Sequence, residues 1–161
     1  MISLLVSYLL IQTITAQESN YQCDPTPLGL SDNCIGCICE ASTRCDQATQ
    51  CVGGNSFCGP FLISKSFWTD AGQCVIEGDN SQDPESWRRC SLDIICAANT
   101  IRSYINRFGK DCNGDQLVTC EDYVMIHKNG GWNCGNSLAG TDFWNIFQKC
   151  KADVLSGGQN I

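Results

Sequence analysis

A chain of 161 residues is about the length of one domain, and its composition is acidic: 17 Asp and Glu against 10 Lys and Arg, for a formal charge of -7. That charge repels anionic polymers at long range, which argues against a nucleic-acid partner. The five cations between Arg88 and Lys110 do not amount to a basic stripe. The 14 cysteines, at such density, point to disulfides, since the single histidine, His127, cannot complete a zinc site with Cys34 and Cys37 or with Cys37 and Cys39. No metal or other cofactor is expected.

In chain order, residues 1–16 read as a secretory signal peptide. Leu4-Leu5-Val6 and Leu9-Leu10-Ile11 supply the apolar run, and cleavage is expected after Ala16. The run is too short to span a bilayer, and nothing later is apolar enough, so a secreted, extracellular protein without a membrane anchor is predicted. Residues 17–33 form a polar N-terminal arm tied down by Cys23. The spacing predicts a short helix from Cys37 to about Asp46, a turn at Gly53-Gly54-Asn55, and a strand from Ser56 to Ile63. Residues 72–86 are a loop.

A long helix is predicted from Ser91 to Phe108, because Ile94, Ala98, Ile101, Ile105 and Phe108 recur on one face and Gly109 follows. Another begins at Thr119, where Thr119-x-x-Asp122 has the form of a capping box, and a third begins at Thr141. The tail, residues 151–161, carries nothing obvious to bury and is expected to be flexible. The resulting fold class is α+β: a mostly helical, small, disulfide-rich domain with a minor β-hairpin.

The pattern Cys34-Ile-Gly-Cys37-Ile-Cys39, then Cys45, Cys51, Cys58-Gly-Pro-Phe61 and Trp68-Thr-Asp70, resembles the amino-terminal half of invertebrate-type lysozymes, the destabilase family. Trp87-Arg-Arg-Cys90, Cys96-Ala97, Tyr104 and Arg107-Phe108 fit that family's long helix. Ile126-His127-Lys-Asn129-Gly-Gly-Trp132-Asn133-Cys134 is similar to its closing segment. The resemblance covers residues 34–150 and implies a lysozyme-like domain there. It also implies the pairs Cys34–Cys120, Cys39–Cys45, Cys51–Cys58, Cys90–Cys96, Cys112–Cys134 and Cys37–Cys150, leaving Cys23 and Cys74 for each other. A further bridge usual in the family would fall at Ala71 and Thr100, and both cysteines are absent together.

The resemblance implies hydrolysis of β-1,4 glycosidic bonds in peptidoglycan by two opposed carboxyl groups about 5 Å apart. The family's Glu position is Ser42, however, and its Asp falls within Val52-Gly53-Gly54-Asn55, where there is no acid. A hydroxyl cannot replace a desolvated carboxylic acid as proton donor. No catalytic residue is therefore assigned. The expected protein is a non-catalytic, monomeric binder of peptidoglycan or another N-acetylglucosamine-containing glycan, associated with innate immunity. Trp132, His127 and Asn129 are the candidate glycan contacts, with Trp132 as an exposed stacking platform.

The alternatives are a weak muramidase using a rearranged acid and an isopeptidase. Glu40 lies about 200° around a helix from Ser42, Asp46 should face solvent, and Asp70 should accompany Trp68 structurally. For the isopeptidase, Ser56, Ser64 and Lys65 are near the right segment, but the family's Lys and Ser positions are Ser64 and Phe57. Asp111, Asn113, Asp115 and Asp122 imitate a calcium loop, although Gln116 stands where such a loop needs glycine, and a solvated turn is the better reading.

Overall fold

The computed structural model describes Cys23 and residues 29–161; the leader and most of the arm lie outside the described residues. Helix α1 spans Asp32–Thr43, beginning five residues before Cys37. Ser31 sets that start: its hydroxyl accepts from the Cys34 amide at 3.0 Å, and Asp32 places a negative charge in the first turn. The last two residues of the expected arm therefore belong to the helix. Arg44 and Cys45, with φ of 60° and 51°, end it short of Asp46 and turn Cys45 back to Cys39.

Three two-residue strands follow, β1 Cys51–Val52, β2 Phe57–Cys58 and β3 Ile63–Ser64, in an antiparallel sheet of order β1-β2-β3. Cys51 pairs with Cys58, and Phe57 lies between Val52 and Ser64. The expected strand from Ser56 to Ile63 is thus two strands and a turn. Leu62 sits at φ 55°, and a Cβ on Gly59 would lie 1.7 Å from the Ser91 carbonyl oxygen, so only glycine lets this turn press on the helix carrying Ser91.

Ser64 caps α2, Lys65–Asp70, by accepting from the Phe67 amide. Trp68 is buried there, and its Nε1 donates to the Cys74 carbonyl. In the acidic loop that follows, the Arg89 guanidinium binds Asp79 through two contacts of 2.8 and 2.7 Å and Asp83 at 2.9 Å. The single helix expected from Ser91 is instead α3, Ser86–Leu92, and α4, Ile94–Phe108. Asp93 makes the break: its backbone is extended, and its carboxylate accepts from the Ile95 and Cys96 amides. The expected periodic face, Ile94 to Phe108, lies wholly in α4, and the Asp93 cap sets its start three residues after Ser91.

Helix α5, Cys120–Asn129, begins with the Thr119–Asp122 capping box, and α6, Asp142–Ser156, is capped by Thr141. Helix α6 does not stop at Cys150. It continues to Ser156 with Val154 packed against the core, and the Asn33 amide donates to the Asn160 carbonyl at 2.7 Å. These contacts involve residues of the 151–161 tail.

Seven disulfides join the helices and loops: Cys23–Cys74, Cys34–Cys120, Cys37–Cys150, Cys39–Cys45, Cys51–Cys58, Cys90–Cys96 and Cys112–Cys134. The long-range crosslinks among them, Cys23–Cys74, Cys34–Cys120 and Cys37–Cys150, each contribute about 2–4 kcal/mol, largely by restricting the unfolded chain. Ala71 and Thr100 are fully buried. Around them, α2 and α4 are joined by hydrogen bonds: Ser103 donates to the Ala71 carbonyl and Arg107 to the Asp70 carbonyl. The core gathers Ile38, Phe61, Trp68, Ile101, Val124 and Phe147, with Trp144 only partly buried at its edge. Among the described residues, no helix is long and apolar enough to cross a membrane.

Candidate functional site

Helices α1 and α6 are bonded at Cys37–Cys150, and Ser42 shares a cavity with Asp142 and Ile146, so the two helices run past each other in opposite directions. That cavity, about 440 Å³, is also lined by Phe57 from the sheet, Leu62 from the turn before β3, and His127, Lys128 and Phe143. An adjoining hollow of about 220 Å³ contains Ser64, Ser66, Asp70, Tyr104 and Asn129. Phe57, Leu62, His127 and Lys128 line both. The two hollows are therefore lobes of one cleft, and those four residues form the saddle between them.

Ser42 is half-buried on the floor of the larger lobe. Its hydroxyl donates to the Ile38 carbonyl at 2.8 Å, the back-bond that serine commonly makes within a helix. His127 Nε2 lies 3.4 Å from the same oxygen. The other ring nitrogen, Nδ1, is buried, and the Phe61 backbone carbonyl lies beside the ring as a further acceptor. The ring meets Phe67 edge-on and lies beside Phe143. Burial, with the Lys128 charge beside it, pushes the His127 pKa down to about 4, so the ring is neutral at pH 7.

Each lobe carries one carboxylate: Asp142 with Ser42, and Asp70 with Ser64 and Asn129. Glu40 lines a different groove, with Lys149 and Asp153, and pairs with Arg44 at 3.5 Å. Asp46 is exposed and accepts from the Ala48 amide. The segment Val52–Asn55 is a tight turn in which Gly53, Gly54 and Asn55 all have φ between 61° and 68°. The Ser64 hydroxyl is occupied by the Phe67 amide and by Ser66, and Lys65 lines neither lobe.

The candidate contacts separate. His127 and Asn129 line the cleft, and Asn129 Nδ2 already donates to the Asn136 carbonyl, leaving its oxygen free of that bond. Trp132 is 82% exposed but lies outside both lobes, edge-on to Phe108. The sequence reading missed Lys128, Asp142 and Phe143 as cleft residues. The signal was the Cys37–Cys150 bridge: five residues along α1 from Cys37 brings Ser42 beside the first turns of α6.

The Asp111–Asp122 segment turns its acids inward. Asp111 accepts from the Gly114 and Gln116 amides at 2.7 and 2.9 Å, and Asp115 from Leu117 at 2.8 Å. Those amides, Gln116 first, hold the Asp111 carboxyl below the usual range. Among the described residues, no group of three or more His, Cys, Asp or Glu is arranged to hold a metal ion.

The Destabilase family model matches residues 31–150, from the cap of α1 to the cysteine of α6. Invertebrate-type lysozyme 6 of Caenorhabditis elegans is 34% identical over 117 residues, covering 71% of this chain and 83% of that protein. A lysozyme of Ostrea edulis is 32% identical over 131 residues, 79% of this chain and 85% of its own. A chain in the crystal structure of Aeromonas hydrophila PliI in complex with Meretrix lusoria lysozyme superposes with a TM-score of 0.57 at 27% identity, over 74% of this chain and 88% of that one. Its crosslinked helices, its small sheet and these relatives together place the chain in the Destabilase family, that of the invertebrate-type lysozymes.

Proposed function

We propose that the protein is a secreted, monomeric member of this family that holds an N-acetylglucosamine-containing glycan, such as a peptidoglycan strand, without cutting it, in a defensive role. The observation that carries this reading is Ser42: the hydroxyl is committed to the Ile38 carbonyl, and its neighbour His127 is neutral. Neither group can protonate a glycosidic oxygen in the way a desolvated carboxylic acid does. His127 and Asn129 supply polar contacts on the cleft wall, and seven disulfides suit an extracellular setting.

One observation favours a second reading. Asp142 and Asp70 stand in adjoining lobes, so a weak hydrolase using rearranged acids would draw on those two. Turbidity of a bacterial cell-wall suspension, followed from pH 4 to 7, separates the readings. No clearing is expected from the wild type, alongside retention of the protein on insoluble peptidoglycan. Lysis abolished by Asp142→Asn or Asp70→Asn, or by Glu40→Gln, would overturn the non-catalytic reading.

A further inference from the structure

The saddle of the cleft carries two side chains whose placement is not explained by folding. Phe57 is 46% exposed, although it belongs to the central strand of the sheet and lines both lobes. Gly53 lies against it: a Cβ there would meet the Phe57 ring at 3.4 Å, so a residue without a side chain borders the ring on the turn side. A large apolar ring kept in water costs solvation that burial would recover, and it is commonly retained where a ligand covers it. Opposite, on α5, Lys128 is exposed and makes no ion pair among the described residues. Its Nζ lies 4.9 Å from the centre of the Phe143 ring, which holds the charge at the cleft wall.

We infer that Phe57 and Lys128 determine which glycan the cleft takes. This rests on the glycan-binding reading above. Phe57 offers its ring to the apolar face of one pyranose at the point where a linear chain passes from lobe to lobe. Lys128 binds a carboxylate carried by that sugar or its neighbour, so acidic strands containing lactyl-substituted N-acetylhexosamine are selected over neutral N-acetylglucosamine chains. A compact cation over an aromatic ring retains hydrogens to donate to an anion. Trp132, outside both lobes, takes no part.

Calorimetric titration of the intact protein with chitotetraose, and with soluble peptidoglycan tetrasaccharide, tests this at low and high salt. The wild type is expected to prefer the acidic ligand by about tenfold, the equivalent of one good charged contact, and to lose that preference in high salt. Phe57→Ala should weaken both ligands by about tenfold. Lys128→Gln should weaken only the acidic one, and Trp132→Ala should change neither. Near-ultraviolet circular dichroism and the seven intact disulfides verify folding in each variant. Unaltered binding by Phe57→Ala, a retained preference in Lys128→Gln, or a loss on Trp132→Ala would overturn the inference while leaving the glycan-binding reading intact. If the wild type binds neither sugar, that reading fails and the inference with it.

Discussion

The Asp111–Asp122 segment and the floor of the cleft use polar side chains in opposite ways. The segment is rich in acids, and its carboxylates accept from backbone amides of the same loop, so a stretch that looks like a cation site is scaffold. The cleft floor is poor in acids and has a serine and a neutral histidine where the resemblance leads one to look for a carboxylic acid, yet it keeps an open volume of about 440 Å³. The partners a polar group already has, and not how many such groups the sequence holds, decide whether it is available for a ligand. The same rule separates Glu40, paired to Arg44 in another groove, from Lys128, which makes no ion pair among the described residues and lines the cleft.

The largest effect should come from Asp122. Its fully buried carboxylate accepts from the Cys112, Asn113 and Thr119 amides at 2.8, 3.3 and 2.7 Å. Asp122→Ala leaves these donors without their acceptor and is expected to cost about 3–5 kcal/mol in urea unfolding with disulfides intact. Ser42→Ala removes one helical back-bond and should cost less than about 1 kcal/mol. Equal losses would break the contrast between scaffold and open site.

A smaller effect belongs to His127. Its pKa in the folded protein, about 4, lies below the ordinary 6.5, so the unfolded chain binds the proton more readily. Stability is therefore full above pH 6.5 and falls as the pH drops toward 4, by about 3 kcal/mol at most. Carboxylates such as Glu121, held low mainly by its hydrogen bond from Lys151, add their own loss at lower pH. That loss is common to wild type and variant and cancels in the difference. In His127→Gln, the fall between pH 6.5 and 4 should largely disappear; a variant with the wild-type slope would show that the ring is not desolvated.

Much of this was legible in the sequence because it is local or covalent. Thr119-x-x-Asp122 marks the start of α5, and Thr141 the start of α6. The cysteine register, taken with the resemblance, gives pairs that stand in the structure, including the leftover Cys23 with Cys74. Two boundaries were not legible because a single cap set them: Asp93 starts α4 at Ile94 and separates it from α3, and Ser31 starts α1 a full turn early. The strand after Ser56 fails at Gly59 because the Ser91 carbonyl, distant in sequence, occupies the space beside it. In the cleft, the family resemblance points to Ser42 and His127, whereas Phe143 and Asp142 arrive only through the packing of α6 on α1.

The smallest expected effect is a null one, and it bears on the acid-rich side of the contrast. For a divalent cation to bind at Asp111, its carboxylate would have to release the Gly114 and Gln116 amides, and Asp115 would have to release Leu117. Gln116, at φ 71°, would stay in a conformation that a calcium loop assigns to glycine. A cation bound at ten times its Kd would raise stability by about 1.4 kcal/mol, easily seen as a rise in Tm. Differential scanning calorimetry in millimolar calcium and in EDTA should give the same Tm. A higher Tm in calcium, lost in Asp111→Asn, would turn this segment from scaffold into a site and erase the distinction drawn between it and the cleft.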